Sequence, residues 1–147
     1  MRLQLKKSHL AADARTLFDM DVACFNRTFD FPPQSVNILK EYLTGSIIYL
    51  CLDNDRPVGA FCYKGNNEDE VELMQFMVLP EYQGKGVGKY MLRKFLEYVK
   101  GKNIHVVTHP LNTPALVLYL KHGFCINGWK DNYYGDGEPR LELKYGK

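Results

Sequence analysis

Residues 83–88 of this chain read QGKGVG, and they are the residues whose types and spacing point most directly to chemistry. Gly84, Gly86 and Gly88 carry no Cβ, so the backbone there can take dihedrals closed to other residues and approach a bulky ligand closely. The extended run EVELMQFMVL at 70–79 precedes this turn, and a helical apolar periodicity follows it. A glycine turn that opens a helix offers free amides and the positive end of the helix dipole, which together bind anions such as a pyrophosphate. Lys85, Lys89, Arg93 and Lys94 add positive charge nearby, although Arg93 and Lys94 read first as a solvated helix face. Two other phosphate loops fail on the letters. A Walker loop needs GxxxxGK followed by Ser or Thr, whereas residues 84–89 are one residue short and Tyr90 follows. A Rossmann fingerprint counted from Gly86 has Met91 in place of its last glycine.

Other reactive side chains form no comparable pattern. His105 and His109 fall on one side of a short strand, but no third ligand lies near them in sequence, so no metal is expected. Cys125 has no partnered base at a suitable spacing. Cys24, Cys51, Cys62 and Cys125 form no CxxC pair, and three of them sit in apolar segments, so buried free thiols are expected. Nineteen Lys and Arg against seventeen Asp and Glu leave a charge of +2, too little for a nucleic-acid grip. No apolar run approaches the roughly 20 residues of a membrane helix. No membrane association and a cytoplasmic location are the expectations.

The elements that must position the glycine turn follow from periodicity. With 147 residues, 46% of them hydrophobic, the chain suits a single domain over 1–147. Residues 2–6 alternate as a strand, 11–24 repeat at helical spacing, and 34–44 form a second helix stopped by Gly45. Between them FNRTFDFPP at 25–33 reads as a loop that presents Phe25, Phe29 and Phe31. Residues 47–52, 58–64 and 70–79 read as three hairpin strands, 86–100 as a helix, and 104–108 as a strand. Thr113 and Pro114 start a last helix that runs to His122, with Gly123 as its cap, before strands at 124–129 and 140–144. Strand, two helices, three strands, helix, strand, helix and two strands define an α/β (α+β) fold.

Gln83, Gly86 and Gly88, after a strand that ends in Val78, Leu79 and Pro80, resemble the signature of the GNAT superfamily of N-acetyltransferases: Gln or Arg, two residues, Gly, one residue, Gly or Ala. Asn112, Ala115, Leu118, Tyr119, Gly123 and Phe124 are similar to its second motif. The resemblance covers about residues 47–144, and it implies the GNAT fold, a mixed and largely antiparallel twisted sheet of about seven strands with about four helices. Thr113 and Pro114 depart from the acidic and small residues that often follow this Asn.

The resemblance also implies chemistry. Acetyl-CoA would be the cosubstrate, cradled by Gln83, Gly84, Lys85, Gly86, Val87 and Gly88, with its pantetheine amides paired to the backbone of Phe76, Met77 and Val78. Asn112 would line the same site, although it is also suited to cap its helix. An alkyl amine is protonated at neutral pH, so transfer needs a base, and Glu72 is the candidate, with Glu70 and Glu81 behind it and Gln75 suited to hold a water. Met77 and Val78 would offer amides to the oxyanion. Tyr119 would protonate the departing thiolate. The acceptor is expected to be a small-molecule amine, with a peptide N-terminus as alternative because NYYGDGE at 132–138 resembles the peptide entrance of N-terminal protein acetyltransferases. A coenzyme A sensor without turnover is a further alternative, and a homodimer is left open.

Overall fold

The computed structural model describes residues 1–24 and 35–146. The elements are β1 (Leu3–Ser8), α1 (Leu10–Cys24), α2 (Val36–Leu43), β2 (Ile47–Asp53), β3 (Arg56–Gly65), β4 (Glu70–Val78), α3 (Val87–Tyr98), β5 (Asn103–Thr108), α4 (Thr113–Lys121), β6 (Cys125–Lys130) and β7 (Arg140–Tyr145). Their order is the one expected. The loop assigned to residues 25–33, with Phe25, Phe29 and Phe31, lies outside the described residues. Asp53 pairs with Arg56, so the β2–β3 turn is only Asn54 and Asp55, both at positive φ as a two-residue hairpin turn requires.

One seven-stranded sheet runs β1-β2-β3-β4-β5-β7-β6. Every neighbouring pair is antiparallel except β4–β5, whose connection is long enough to hold α3. Side chains alternate across a strand, which splits the core into two layers. On one face Val87, Met91, Leu92 and Phe95 of α3 bury against Phe61, Leu73 and Val106. On the other, Leu17 and Met20 of α1 with Leu39 and Leu43 of α2 cover Ile48, Ala60, Cys62 and Met77. Residues 58–63 of β3 are buried without a break because helices cover both faces of that strand. Each fully buried Leu, Phe or Met side chain contributes about 1.5–3 kcal/mol of burial free energy, so these layers hold β4 rigidly between them.

The cysteine reading needs correcting. All four are free, but only Cys51 and Cys62 are buried; Cys24 is half-buried and Cys125 exposed. β6 is an edge strand, and Ile126 and Trp129 beside Cys125 are exposed with it. An apolar run on an edge strand is therefore not evidence of burial.

Candidate active site

β4 builds the site because it loses its register on both sides within a few residues. Toward β3, Cys62 faces Gln75 while Tyr63 faces Leu73, which leaves Met74 as a bulge. Toward β5, pairing ends at Leu73 and Val106. Beyond that rung β5 continues with β7 alone, so the last residues of β4 have an open side. Peptide groups alternate sides along a strand. The Leu79 N–H bonds Val58 O on β3, and Val78 O instead accepts from Gln83 Nε2 at 3.0 Å and Cys24 Sγ at 3.2 Å. Phe76 and Val78 thus turn their peptide groups to the open side, and Met77 between them turns toward β3.

A cleft of about 790 Å³ fills the opening, lined by Phe76, Met77, Val78, Gln83, Gly84, Gly86, Gly88 and Asn112 among the residues singled out in sequence. Gly84 and Gly86 have φ of +73° and +88°, and a Cβ added at either would stand in open space. Gly86 is the N-cap of α3 and supplies no side-chain cap, so the first amides of that helix have no side-chain acceptor there. Gly88 does something else as well: its missing Cβ makes room for Leu118 Cδ2, which an added Cβ would meet at 3.3 Å. Lys89 and Arg93 also line the cleft, both exposed, so Arg93 keeps the solvated position read from the sequence while facing the cleft, and Lys94 pairs with Glu97 at 3.6 Å. The side chains of Lys85 and Val87 stand apart, Lys85 Nζ over the Tyr82 ring at 5.7 Å and Val87 in the core. Asn112 occupies the N-cap position of α4 without a capping hydrogen bond. Tyr119 is 3% exposed, one turn after Ala115 of the cleft wall, and its ring packs against Phe76 at 6.1 Å and Phe124 at 5.2 Å.

Glu72 lies on the opposite face of the sheet, beside the rung where β4 and β5 part. Its Oε1 is 3.9 Å from His105 Nδ1, and both side chains are about one-third exposed. Sequence reasoning singled out the 132–138 loop that carries Tyr133 and Tyr134 but missed Tyr42, which meets it beside Glu72. The Tyr42 hydroxyl donates to Met74 O at 3.4 Å and is hydrogen-bonded to Tyr134. Burial, Tyr134 and the Glu72 carboxylate hold the Tyr42 phenol well above its ordinary range. Burial, then Glu72 and Glu142, raises Tyr133 likewise. Gln75 Nε2 donates to the buried Asp21 Oδ2 at 2.6 Å.

The loop that carries Tyr133 and Tyr134 is pinned from below. Arg140, 1% exposed, bonds Asp136 Oδ2 at 2.8 Å and lies 5.1 Å from the Tyr134 ring centre. Buried His109 receives the Leu111 N–H at Nδ1, so its Nε2–H donates to Glu138 at 3.1 Å. Arg140 gave no sequence signal, and His109, placed in sequence on one strand with His105, instead follows the end of β5 and is buried beneath the loop.

The described residues thus form a sheet that splays beside a glycine-opened helix, with an ionisable cluster on its other face. The sequence profile of the Acetyltransferase (GNAT) family matches residues 14–124, and the chain belongs to that family. It is 35% identical over 65 residues to N-alpha-acetyltransferase RimI of Mycobacterium tuberculosis, a stretch that covers 44% of this chain and 41% of that protein. The chain therefore spans less than half the length of that relative. It is 28% identical over 126 residues to the [ribosomal protein bS18]-alanine N-acetyltransferase of Haemophilus influenzae, covering 84% and 83% of the two chains. A GNAT family acetyltransferase from Elizabethkingia anophelis with acetyl-CoA bound shares the fold at a TM-score of 0.79 and 18% identity, over 99% of this chain and 98% of that one.

Proposed function

We propose that this chain transfers an acetyl group from acetyl-CoA to the primary amine of a small molecule by direct attack in a ternary complex. The observation that carries the reading is the open side of β4, where Phe76 and the Val78 N–H, turned away from β3, lead straight to the left-handed glycines at the start of α3. The fit is specific in one respect: a Cβ at Gly84 or Gly86 would project into space that none of the described residues fills. When bound, acetyl-CoA supplies an activated acyl group whose C–S bond breaks as the C–N bond forms.

The chain's own residues divide the remaining work. Amides at the start of α3, with Lys89 and Arg93, hold the pyrophosphate. Gln83 fixes Val78 O, so the strand end keeps its direction while Phe76 and Val78 pair with the pantetheine as an added strand would. The Val78 amide is the oxyanion donor best turned to the cleft. Glu72 takes the proton shed by the amine, and Tyr119 returns one to the thiolate. Asp21 locks Gln75, which suits that side chain to anchoring the acceptor wall.

The Tyr42–Tyr134 contact joins α2 to the β6–β7 loop over β4 and narrows the acceptor side, which favours a small amine. A peptide α-amine is the second acceptor class, supported by the relative whose name specifies a ribosomal-protein alanine. Thiol release from acetyl-CoA with a panel of small amines and short peptides tests both. Faster release with small amines supports the first, and faster release with peptides replaces it by the second. Stabilisation by coenzyme A with no release on any acceptor would make the chain a sensor and end the catalytic reading.

A further inference from the structure

We propose that His105 is a positioning residue for the transfer reaction, one that carries the proton collected by Glu72 out to solvent. The inference rests on the reading of Glu72 as the base. Glu72 and His105 are direct neighbours across the parallel β4–β5 pair, on the last rung but one before the strands separate. Paired residues project from the same face, so both side chains stand on the acceptor side of the sheet. His105 is no part of the donor cleft wall, and both side chains of the pair are about one-third exposed, so the imidazole has water beside it whereas an acceptor amine bound over Glu72 would cover the carboxylate.

A base that cannot discard its proton works once. The amine N–H proton moves to Glu72 Oε; the carboxyl passes it to His105 Nδ1; the imidazolium releases it to bulk water, and both groups return to their starting states. The 3.9 Å between Oε1 and Nδ1 is a gap that one bridging water closes. The surroundings suit a through-route. Lys64 stands opposite Glu72 on β3 and Lys144 opposite His105 on β7. Among the described residues, Tyr42 of α2, Tyr133 and Tyr134 of the loop and Glu142 of β7 are further ionisable groups near the pair.

The test is steady-state thiol release by wild type, His105→Gln, His105→Asn, His105→Ala and Glu72→Gln across pH, with and without added imidazole. The glutamine and asparagine variants are expected to lower kcat about tenfold to a hundredfold. KM for acetyl-CoA stays at the wild-type value, the acid limb of the kcat profile is lost, and imidazole restores the alanine variant in a saturable way. A merely structural role for His105 moves none of the last two. Variants with kcat within twofold of wild type and an unchanged pH profile overturn the inference alone. A fully active Glu72→Gln overturns the base reading and this inference together, and a wild type that releases no thiol on any amine overturns the transferase reading itself.

Discussion

Substituting Gly86 by Ala separates two roles of the glycine turn. Gly86 has φ +88° and opens α3, and an added Cβ meets no atom within 4 Å. The cost to folding is therefore conformational strain alone, roughly 1–2 kcal/mol for a residue with a Cβ in the left-handed region. In a domain of this size each kcal/mol lowers Tm by about 2–4 °C, so a fall of roughly 2–8 °C is expected. The same methyl group stands in front of the amides that would hold a pyrophosphate. Loss of one charge-assisted hydrogen bond, about 1.5–3 kcal/mol, weakens coenzyme A binding roughly tenfold to a hundredfold. Gly88→Ala is the internal control. Its φ is ordinary, its Cβ contacts Leu118 Cδ2 at 3.3 Å, and the helix gains about 1 kcal/mol of propensity, so Tm stays close to wild type. Calorimetric titration with coenzyme A beside thermal melts of the unliganded proteins reads both effects. Wild-type affinity in Gly86→Ala, despite a lowered Tm, would refute the anion-cradle reading and leave the turn as a helix start.

Tyr119→Phe is expected to reduce kcat for thiol release by roughly tenfold to a hundredfold with little change in coenzyme A affinity; equal loss of both would make the ring a packing residue. In a thiol-reagent titration near pH 8, Cys125 reacts first, because burial, then the Asp53 carboxylate, pushes Cys51 up to about 11, and burial, then Asp21, raises Cys62 further. Burial pulls the Asp136 carboxyl up, but the hydrogen bonds from Glu138 N–H and Arg140 outweigh it and leave the group below its ordinary value. Its contribution is therefore present above the ordinary carboxylate range and lost as pH falls through the lower, folded-state value. Proteolysis within residues 131–138 should accelerate only in acid, whereas Asp136→Asn should open the loop at neutral pH.

Most of the element order was legible because helix and strand periods differ and because Gly45, Gly101 and Gly123 punctuate the helices at positive φ. The glycine turn was legible too, since its chemistry is local. The bulge at Met74 was not: EVELMQFMV alternates well enough to suggest an unbroken strand, and only the pairing with β3 shows the extra residue. The order β5-β7-β6 has no local signal either, since it depends on which edge is left open. Tyr42 lay in the apolar pattern of its helix, and its part in the site arises from a contact with Tyr134, more than 90 positions away in sequence. Asp21 illustrates the same limit, as a buried polar residue whose partner Gln75 comes from elsewhere in the fold.

Backbone amide resonances followed while acetyl-CoA is added test the proposed ligand path most directly. Shifts and exchange protection concentrated at Phe76, Val78 and the amides of 84–88, with residues of β6 unaffected, are the expected result. A folded protein in which those amides do not respond to saturating acetyl-CoA, or in which the response falls on another surface, would contradict it.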